Sequence, residues 1–304
     1  MADFEVTILG SSSATPTFTR NPSAQVLQIL GRYFLIDCGE GTQIQMRKNR
    51  VKFQKINQIF ISHLHGDHYL GLMGFIQTLH LLGRTTPLEI FGPSPLKEIL
   101  EIQLKHSETT LRYPLIFNEI DTTSHLKIWE DNCVEVYSIP LKHRLPCSGF
   151  LFKEKEKLLS VRKDMLAEYK IPIASIQAIK EGSDFTTSFG QVIPNYKLVH
   201  PKTPLKSYAY CSDTIFDPTI VPLISEVNLL YHESTFINEH SARAKETFHS
   251  TAEQAAIIAK MANVKKLLLG HFSARYGNLD IFIQEALPHF QNVETVEEGK
   301  TYLI

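Results

Sequence analysis

The sequence is short of the features that mark several classes of protein. It has four cysteines in 304 residues, Cys38, Cys133, Cys147 and Cys211, widely spaced and without a C-x-x-C pair. That spacing excludes a disulfide framework and a thiolate zinc site, and fits small reduced core residues inside a cell. Net charge is almost absent, at −1. No global basic field therefore announces a nucleic-acid binder, although a balanced total says nothing about a local patch. No apolar run approaches the roughly 18 residues that span a bilayer. The opening MADFEVTILG has an acid at Asp3 and no basic leader. It reads as a first strand and not a signal peptide, so a cytoplasmic protein without a membrane partner is expected. Internal repeats are also lacking.

What is present is enough apolar residue, 43%, to build one large domain or two modest ones. Phe4–Leu9, Ala24–Leu30 and Tyr33–Asp37 read as strands ended by turn glycines, and residues 41–49 as a short helix. Ile56–Ile61, apolar except for Asn57 and Gln58, reads as a strand covered on both faces. A helix is expected over Asp67–Leu82, with Leu70, Met73, Ile76, Leu79 and His80 near one face. Strands Leu88–Phe91, Leu115–Ile120, Val134–Ile139 and Gly149–Phe152 follow, with a helix over Pro93–Leu104. The texture changes from about Lys153 to Lys206. Residues 153–170 are charged and part helical, and residues 171–206 are rich in Pro, Gly and Ser without strong periodicity. This stretch reads as an inserted, projecting arm. Core texture resumes with strands Tyr208–Cys211, Val227–Tyr231 and Lys266–Leu269 and helices Thr251–Ala262 and Leu279–Phe290. The expected fold is α/β: two β-rich halves covered by helices, with a core of residues 1–152 and 207–304 and an arm of 153–206.

The chemistry is concentrated in ISHLHGDHYL, residues 61–70. An extended segment points residues i and i+2 the same way, so His63 and His65 share a target. Gly66 permits a sharp turn, after which Asp67 and His68 face a second point nearby. Imidazole and carboxylate suit zinc, manganese or iron, and two-metal sites place their ions about 3.5–4 Å apart. Further ligands should follow later strand ends. His143 follows Val134–Ile139, Asp213 follows Tyr208–Cys211, and His271 follows Lys266–Leu269. Each has a mundane reading when taken alone: a basic loop residue, a helix N-cap with Thr214, and a rim histidine.

The pattern resembles the metallo-β-lactamase superfamily and, more narrowly, the ribonuclease Z family. The resemblance runs from ILGSSSATPTFTRNPSA (8–24) and LIDCGEGTQIQ (35–45) through HLHGDH, HEST (232–235) and HST (249–251) to GHFSARY (270–276). It implies an αββα sandwich with an inserted projecting arm and a zinc-dependent endoribonuclease. That enzyme removes the 3′ trailer from precursor tRNA, leaving a 3′-hydroxyl on the tRNA and a 5′-phosphate on the trailer. It implies two zinc ions per subunit, one held by His63, His65 and His143, the other by Asp67, His68 and His271, with Asp213 between them. Asp67 would also orient or deprotonate water, His249 would give a proton to the leaving oxygen, and Glu233 would support His249. Arg20 and Asn21 would lie near the cleaved end. A homodimer is implied, the arm of one subunit reaching precursor tRNA held by the other.

The chain departs from that family at two places. The arm has Ala174-Ser175 where relatives carry a Gly-Pro-containing tip. The first loop reads Gly10-Ser11-Ser12-Ser13, and its continuation PTFTRN has Phe18 where a lysine is frequent. Residues 153–206 hold ten basic and six acidic side chains, a small excess for binding phosphate. Alternative readings of the same residues are a small-ester phosphodiesterase or arylsulfatase of the superfamily, and a catalytically silent RNA-binding module. His80, His106, His125, His200, His240 and His289 receive no role.

Overall fold

Strand β1 (Phe4–Gly10) opens the first of two seven-stranded sheets in a computed structural model that describes residues 4–202 and 204–304. Asp3, noted above in the opening segment, lies outside those residues. The other strands are β2 (Ala24–Ile29), β3 (Arg32–Cys38), β4 (Ile56–Phe60), β5 (Leu88–Gly92) and β6 (Leu115–Glu119). Then come β7 (Lys127–Glu130), β8 (Val134–Leu141), β9 (Cys147–Glu154), β10 (Ser207–Cys211), β11 (Leu229–Glu233), β12 (Leu267–Gly270), β13 (Val293–Thr295) and β14 (Thr301–Leu303). The first sheet runs β14-β1-β2-β3-β4-β5-β6 and the second β13-β12-β11-β10-β9-β8-β7.

The sheets face each other across a shared apolar core. Phe34 and Phe60 from the first sheet meet Phe150 and Phe152 from the second, with ring centroids 5.4 Å apart for Phe34–Phe152, Phe60–Phe150 and Phe60–Phe152. Each buried Phe contributes roughly 1.5–3 kcal/mol through area removed from water. A second core under the first sheet takes Leu72, Phe75, Ile76 and Leu79 from one helix and Leu96 and Leu100 from another. Helix Ala252–Met261 covers the second sheet with Ala255, Ala256, Ile258 and Ala259. The result is an αββα sandwich.

Strand direction places the site. β3 through β6 run parallel, and so do β10, β11 and β12. Their carboxyl ends open on a rim, where ligands of parallel sheets gather. Cys211 pairs with His232 and Glu233 with Gly270, so Asp213, Glu233 and His271 emerge side by side.

Several expected elements are corrected. The helix expected over Asp67–Leu82 is two, Gly66–Tyr69 and Leu72–Leu81. The break is a close approach: a Cβ on Gly71 would lie 2.0 Å from Gly39 O, and the Gly71 N–H donates to Cys38 O at 2.9 Å. Leu70, placed on the buried face by periodicity, is exposed, and Leu72 and Phe75 take that role. Strands β7, β13 and β14 and the helix Ser241–Thr247 were not expected.

The chain forms two compact units, Met1–Lys153 with Lys206–Ile304, and Glu154–Leu205. The inserted unit is more ordered than its composition suggested. It contains helices Lys163–Glu168, Ile173–Lys180 and Asn195–Leu198 and a two-stranded pair, Phe185–Thr186 with Val192–Ile193. Its small core is Ile171, Ile179, Ile193, Leu198 and Val199. Asn195 stitches it, its Nδ2 donating to Ile179 O at 2.7 Å and Ser183 O at 2.8 Å. Lys153 and Lys206 fall in the first unit, so the inserted unit holds eight basic and six acidic side chains. Its basic excess is half that of residues 153–206.

Candidate metal centre

Strand β4 ends at Phe60, and His65 is still extended, with φ −72° and ψ 143°. His63 and His65 consequently turn to one side, as the alternation of an extended chain requires. His143, carried two residues past β8, joins them. His63 Nε2 and His65 Nδ1 lie 3.0 Å apart, and His143 Nε2 lies 3.1 Å from His65 Nδ1. Asp213 Oδ2 closes the group at 3.4 Å from His63 Nε2 and 3.8 Å from His143 Nε2.

A second group forms beside it on the first helical turn. Asp67 Oδ2 lies 3.4 Å from His68 Nε2 and 3.3 Å from His271 Nε2, and those two nitrogens are 3.2 Å apart. Asp213 Oδ1 approaches His68 at 3.5 Å and His271 at 3.3 Å. One carboxylate thus presents one oxygen to each group.

The donor set can be tested for fit to a metal. Ligands about 2.0–2.1 Å from a tetrahedral ion stand about 3.3–3.4 Å from each other. The edges here run from 3.0 to 3.8 Å. Burial lowers the pKa of His63 to about 4, with the charge of His68 adding to the effect, and burial also lowers those of His65 and His143. These imidazoles are therefore neutral, with lone pairs available. Burial opposes ionisation of Asp67 and Asp213, but the neighbouring histidines hold both carboxyls well below the usual range.

A polar layer behind the ligands orients them. Asp37 is fully buried. Its Oδ2 accepts from His68 Nδ1 at 2.8 Å, Ser62 Oγ at 2.9 Å and Tyr210 Oη at 2.6 Å, and its Oδ1 accepts from Ser62 N at 2.8 Å. Ser62 Oγ also sits 3.0 Å from His63 Nδ1. One carboxylate thus holds His68 directly and His63 through a serine, leaving Nε2 of both rings aimed at the centre. His143 Nδ1 donates to Phe248 O at 2.9 Å, and His271 Nδ1 lies 3.0 Å from Thr235 Oγ1. Such outer partners fix tautomer and ring orientation. Asp37, Phe248, His271 and Ala14 all have positive φ, between 54° and 60°. Ala14 donates its N–H to Asp67 Oδ2 at 2.7 Å. Left-handed backbone at non-glycine residues costs of order 1–3 kcal/mol each, and four such residues touch this one site.

His249 and Glu233 form a separate pair. Glu233 is fully buried. Its Oε1 accepts from His249 Nδ1 at 2.9 Å and from Ser250 N at 3.0 Å, and its Oε2 accepts from Thr235 N and Oγ1, both at 2.8 Å. Thr251 caps the following helix in a capping box with Gln254, which holds the His249 loop in place. Burial works against a charged His249, yet Glu233 outweighs it and raises the imidazole to about 9. The helix cap read as one option for Asp213 belongs instead to Asp217, which accepts from Thr219 N at the start of 218–224.

His65, Asp67, His143, Asp213 and His249 line a cavity of about 500 Å³, joined on its wall by Arg144, Arg243 and Pro16. Arg20 and Asn21 do not line it. Arg20 Nη2 donates to Ser273 O at 3.2 Å, and its buried Nε–H has no hydrogen-bond partner. Asn21 Nδ2 donates to Glu298 Oε2 at 2.6 Å. Pattern reading missed Asp37, Ser62, Tyr210 and the two wall arginines. The DCG of LIDCGEGTQ was a visible signal for the first, and nothing in the spacing marks the others.

The family model described as "Anti-Pycsar protein Apyc1" matches residues 4–170, a span that includes His63 to His143 but stops before Asp213, Glu233, His249 and His271. Longer matches reach all of them. The chain is 50% identical to a "Ribonuclease Z" of Parabacteroides distasonis over 98% of each chain, and 49% identical to one of Porphyromonas gingivalis over 96% of each. The chain belongs to the ribonuclease Z family. Among solved structures it is similar to human tRNase Z, short form, at 27% identity, with 98% of each chain covered and a TM-score of 0.70. The metallo-β-lactamase fold protein YhfI of Bacillus subtilis shares the fold, at 18% identity and a TM-score of 0.69. The chain is thus a nuclease of metallo-β-lactamase fold that binds divalent metal, and the two His/Asp groups fit such ions, while His249 also comes together with Asp213 and His271 in a third group. Among the described residues no helix is long and apolar enough to cross a membrane.

Proposed function

We propose that this ribonuclease Z cuts the 3′ trailer from precursor tRNA in the cytoplasm, leaving a 3′-hydroxyl on the tRNA and a 5′-phosphate on the trailer. The observation that carries the reading is His249, backed by the buried Glu233, on the same cavity wall as His65, Asp67, His143 and Asp213 of the two-lobed His/Asp set. Zinc would be held by His63, His65 and His143 in one group and by Asp67, His68 and His271 in the other, with Asp213 available to each. When bound, such ions supply Lewis acidity at the phosphodiester and make water a competent nucleophile near neutral pH.

The chain's own groups complete the reaction. Asp67 orients the attacking water, its carboxyl kept ionised by His68 and His271. Water oxygen bonds to phosphorus as the bond from phosphorus to the ribose 3′-oxygen breaks. His249 uses Nδ1 on Glu233, so Nε2 is the atom that gives its proton to the departing 3′-oxygen. Arg144 and Arg243 offer guanidinium donors to backbone phosphates along the wall.

Incubating purified protein with a 3′-extended tRNA and mapping both product ends tests this directly. A 3′-hydroxyl on the tRNA and a 5′-phosphate on the trailer are expected, with about two metal equivalents by elemental analysis. An intact precursor alongside brisk hydrolysis of bis(p-nitrophenyl) phosphate would favour the small-ester reading. A metal-poor, inactive preparation would favour the silent module. The active species is a homodimer with the inserted unit contacting the tRNA. Full activity from a species that light scattering shows to be monomeric would overturn that assembly.

A further inference from the structure

Phe18 is the most exposed large apolar side chain among the described residues, at 111% of its reference area. One exposed apolar residue is ordinary by itself. Three features set this one apart. First, the loop that carries it is closed by hydrogen bonds: the Thr17 N–H donates to Arg20 O at 2.8 Å, while Thr17 Oγ1 accepts from Arg20 N at 2.9 Å and Thr19 N at 3.3 Å. Below that turn, Ser12 Oγ donates to Thr15 O at 2.7 Å. The ring is thus displayed on a closed loop, and little backbone entropy remains to be lost when a ligand meets it.

Second, the loop is rooted in the metal centre. Ala14 N donates to Asp67 Oδ2 at 2.7 Å, and Ser13, Ala14 and Pro16 line the cavity. Phe18 follows Pro16 by two residues, so their Cα atoms are at most about 7 Å apart. Third, the ring is uncharged. A cation at this place would meet a phosphate, whereas an aromatic ring offers only a π-face, and the flat partner of that face in a nucleic acid is an unpaired base.

We infer that Phe18 is a stacking platform for an unpaired nucleobase of the substrate RNA close to the scissile phosphate. The inference rests on the RNA-cleaving role proposed above and adds a specificity element to it. Phe18 takes no part in the bond-breaking step.

The test uses a 3′-extended tRNA, intact or with a single abasic nucleotide placed in turn at each position flanking the cut. F18A is expected to raise KM for the intact precursor about 5- to 150-fold while leaving the salt slope of binding unchanged. F18W restores KM, and F18L, apolar but not flat, does not. F18K recovers part of the affinity but with a steeper salt slope. On the precursor abasic at the stacked position, wild type and F18A behave alike. The proposal is overturned if F18A keeps the wild-type KM, if leucine serves as well as phenylalanine, or if the F18A loss persists on every abasic substrate. A wild-type protein unable to cut the intact precursor would overturn the RNA-cleaving role and this one with it. A wild type that cuts, with indistinguishable variants, overturns the stacking role alone.

Discussion

The two units of the chain differ in what they keep from water. The first buries Asp37, Ser62, His63, His68, Asp213, Glu233 and His271. Among the described residues the inserted unit buries no polar or charged side chain, only a handful of aliphatic ones. Buried polar groups are expensive unless each has its partners, and once satisfied they are held in one geometry. Phosphodiester cleavage needs that fixed geometry. Holding a solvated, charged backbone does not. The difference matches the proposed division of chemistry and grip between the two units, and the following experiments try to break that division, starting with the largest effect.

His65→Ala removes a donor from the more open metal group. Metal content and cleavage should fall together, cleavage to background, for tRNA and for a small diester alike. A variant that keeps its metal and loses only tRNA cleavage would place His65 on the gripping side of the comparison.

His249→Ala should keep both metals and cut about 10²–10⁴-fold more slowly. Glu233 acts through His249, so the double variant with Glu233→Ala should be little worse than either single one, and additive losses would reveal independent roles. The pH profile sharpens the point. The protonated imidazole is the donor, so its contribution is complete at neutral pH and lost as pH rises through about 9. Glu233→Gln should move that alkaline limb downward, since the carboxylate is what raises the histidine. An unmoved limb would detach Glu233 from the proton transfer.

Asp37→Asn probes the layer behind the ligands. Outer partners of metal-bound histidines are worth about 10–100-fold in affinity. Asp37 supports His68 directly and His63 through Ser62, so both ions should be lost to a chelator more readily than from wild type. Loss of only one would show that Ser62 holds His63 without help.

How much of this was legible in the sequence depends on the range of the forces involved. The H-x-H-x-D-H run was readable because a strand and its terminal ligands are local, and the later strand ends followed from the same pattern. The helix break at Leu70-Gly71 was not readable, because it arises from the close approach of the Gly39 backbone, some thirty residues away in sequence. The DCG run marked Asp37 as a residue of interest, but its role in orienting His68 and Ser62 was not readable, because it depends on a left-handed backbone and on donors distant in sequence. β13 and β14 have three residues each, too few to show a period of two. In the inserted unit, the helix Ile173–Lys180 buries only Ile179 and leaves Ile173 exposed, and its eight residues are too few to fix a helical period.

The smallest effect on chemistry belongs to the inserted unit itself. Deleting roughly Lys157–Lys197 removes most of its small core together with six of its eight basic residues, and none of the His/Asp donors. His143 and Asp213 flank the deletion, and the buried polar layer that orients the donors comes wholly from the first unit. Hydrolysis of a small diester should therefore remain near the intact protein's rate. Binding of precursor tRNA should weaken, and its salt slope should flatten by about 0.7–0.9 for each phosphate that is no longer neutralised. The unit's basic excess is only two, so a fall in slope of about one or two is expected, well short of a collapse to zero. If small-diester hydrolysis falls in parallel, the insertion is needed to fold the first unit, and the separation of chemistry from grip is wrong. If neither binding nor slope changes, the unit with Ala174-Ser175 has no hold on the tRNA, and grip resides with chemistry in the first unit, where Arg144 and Arg243 already line the cavity.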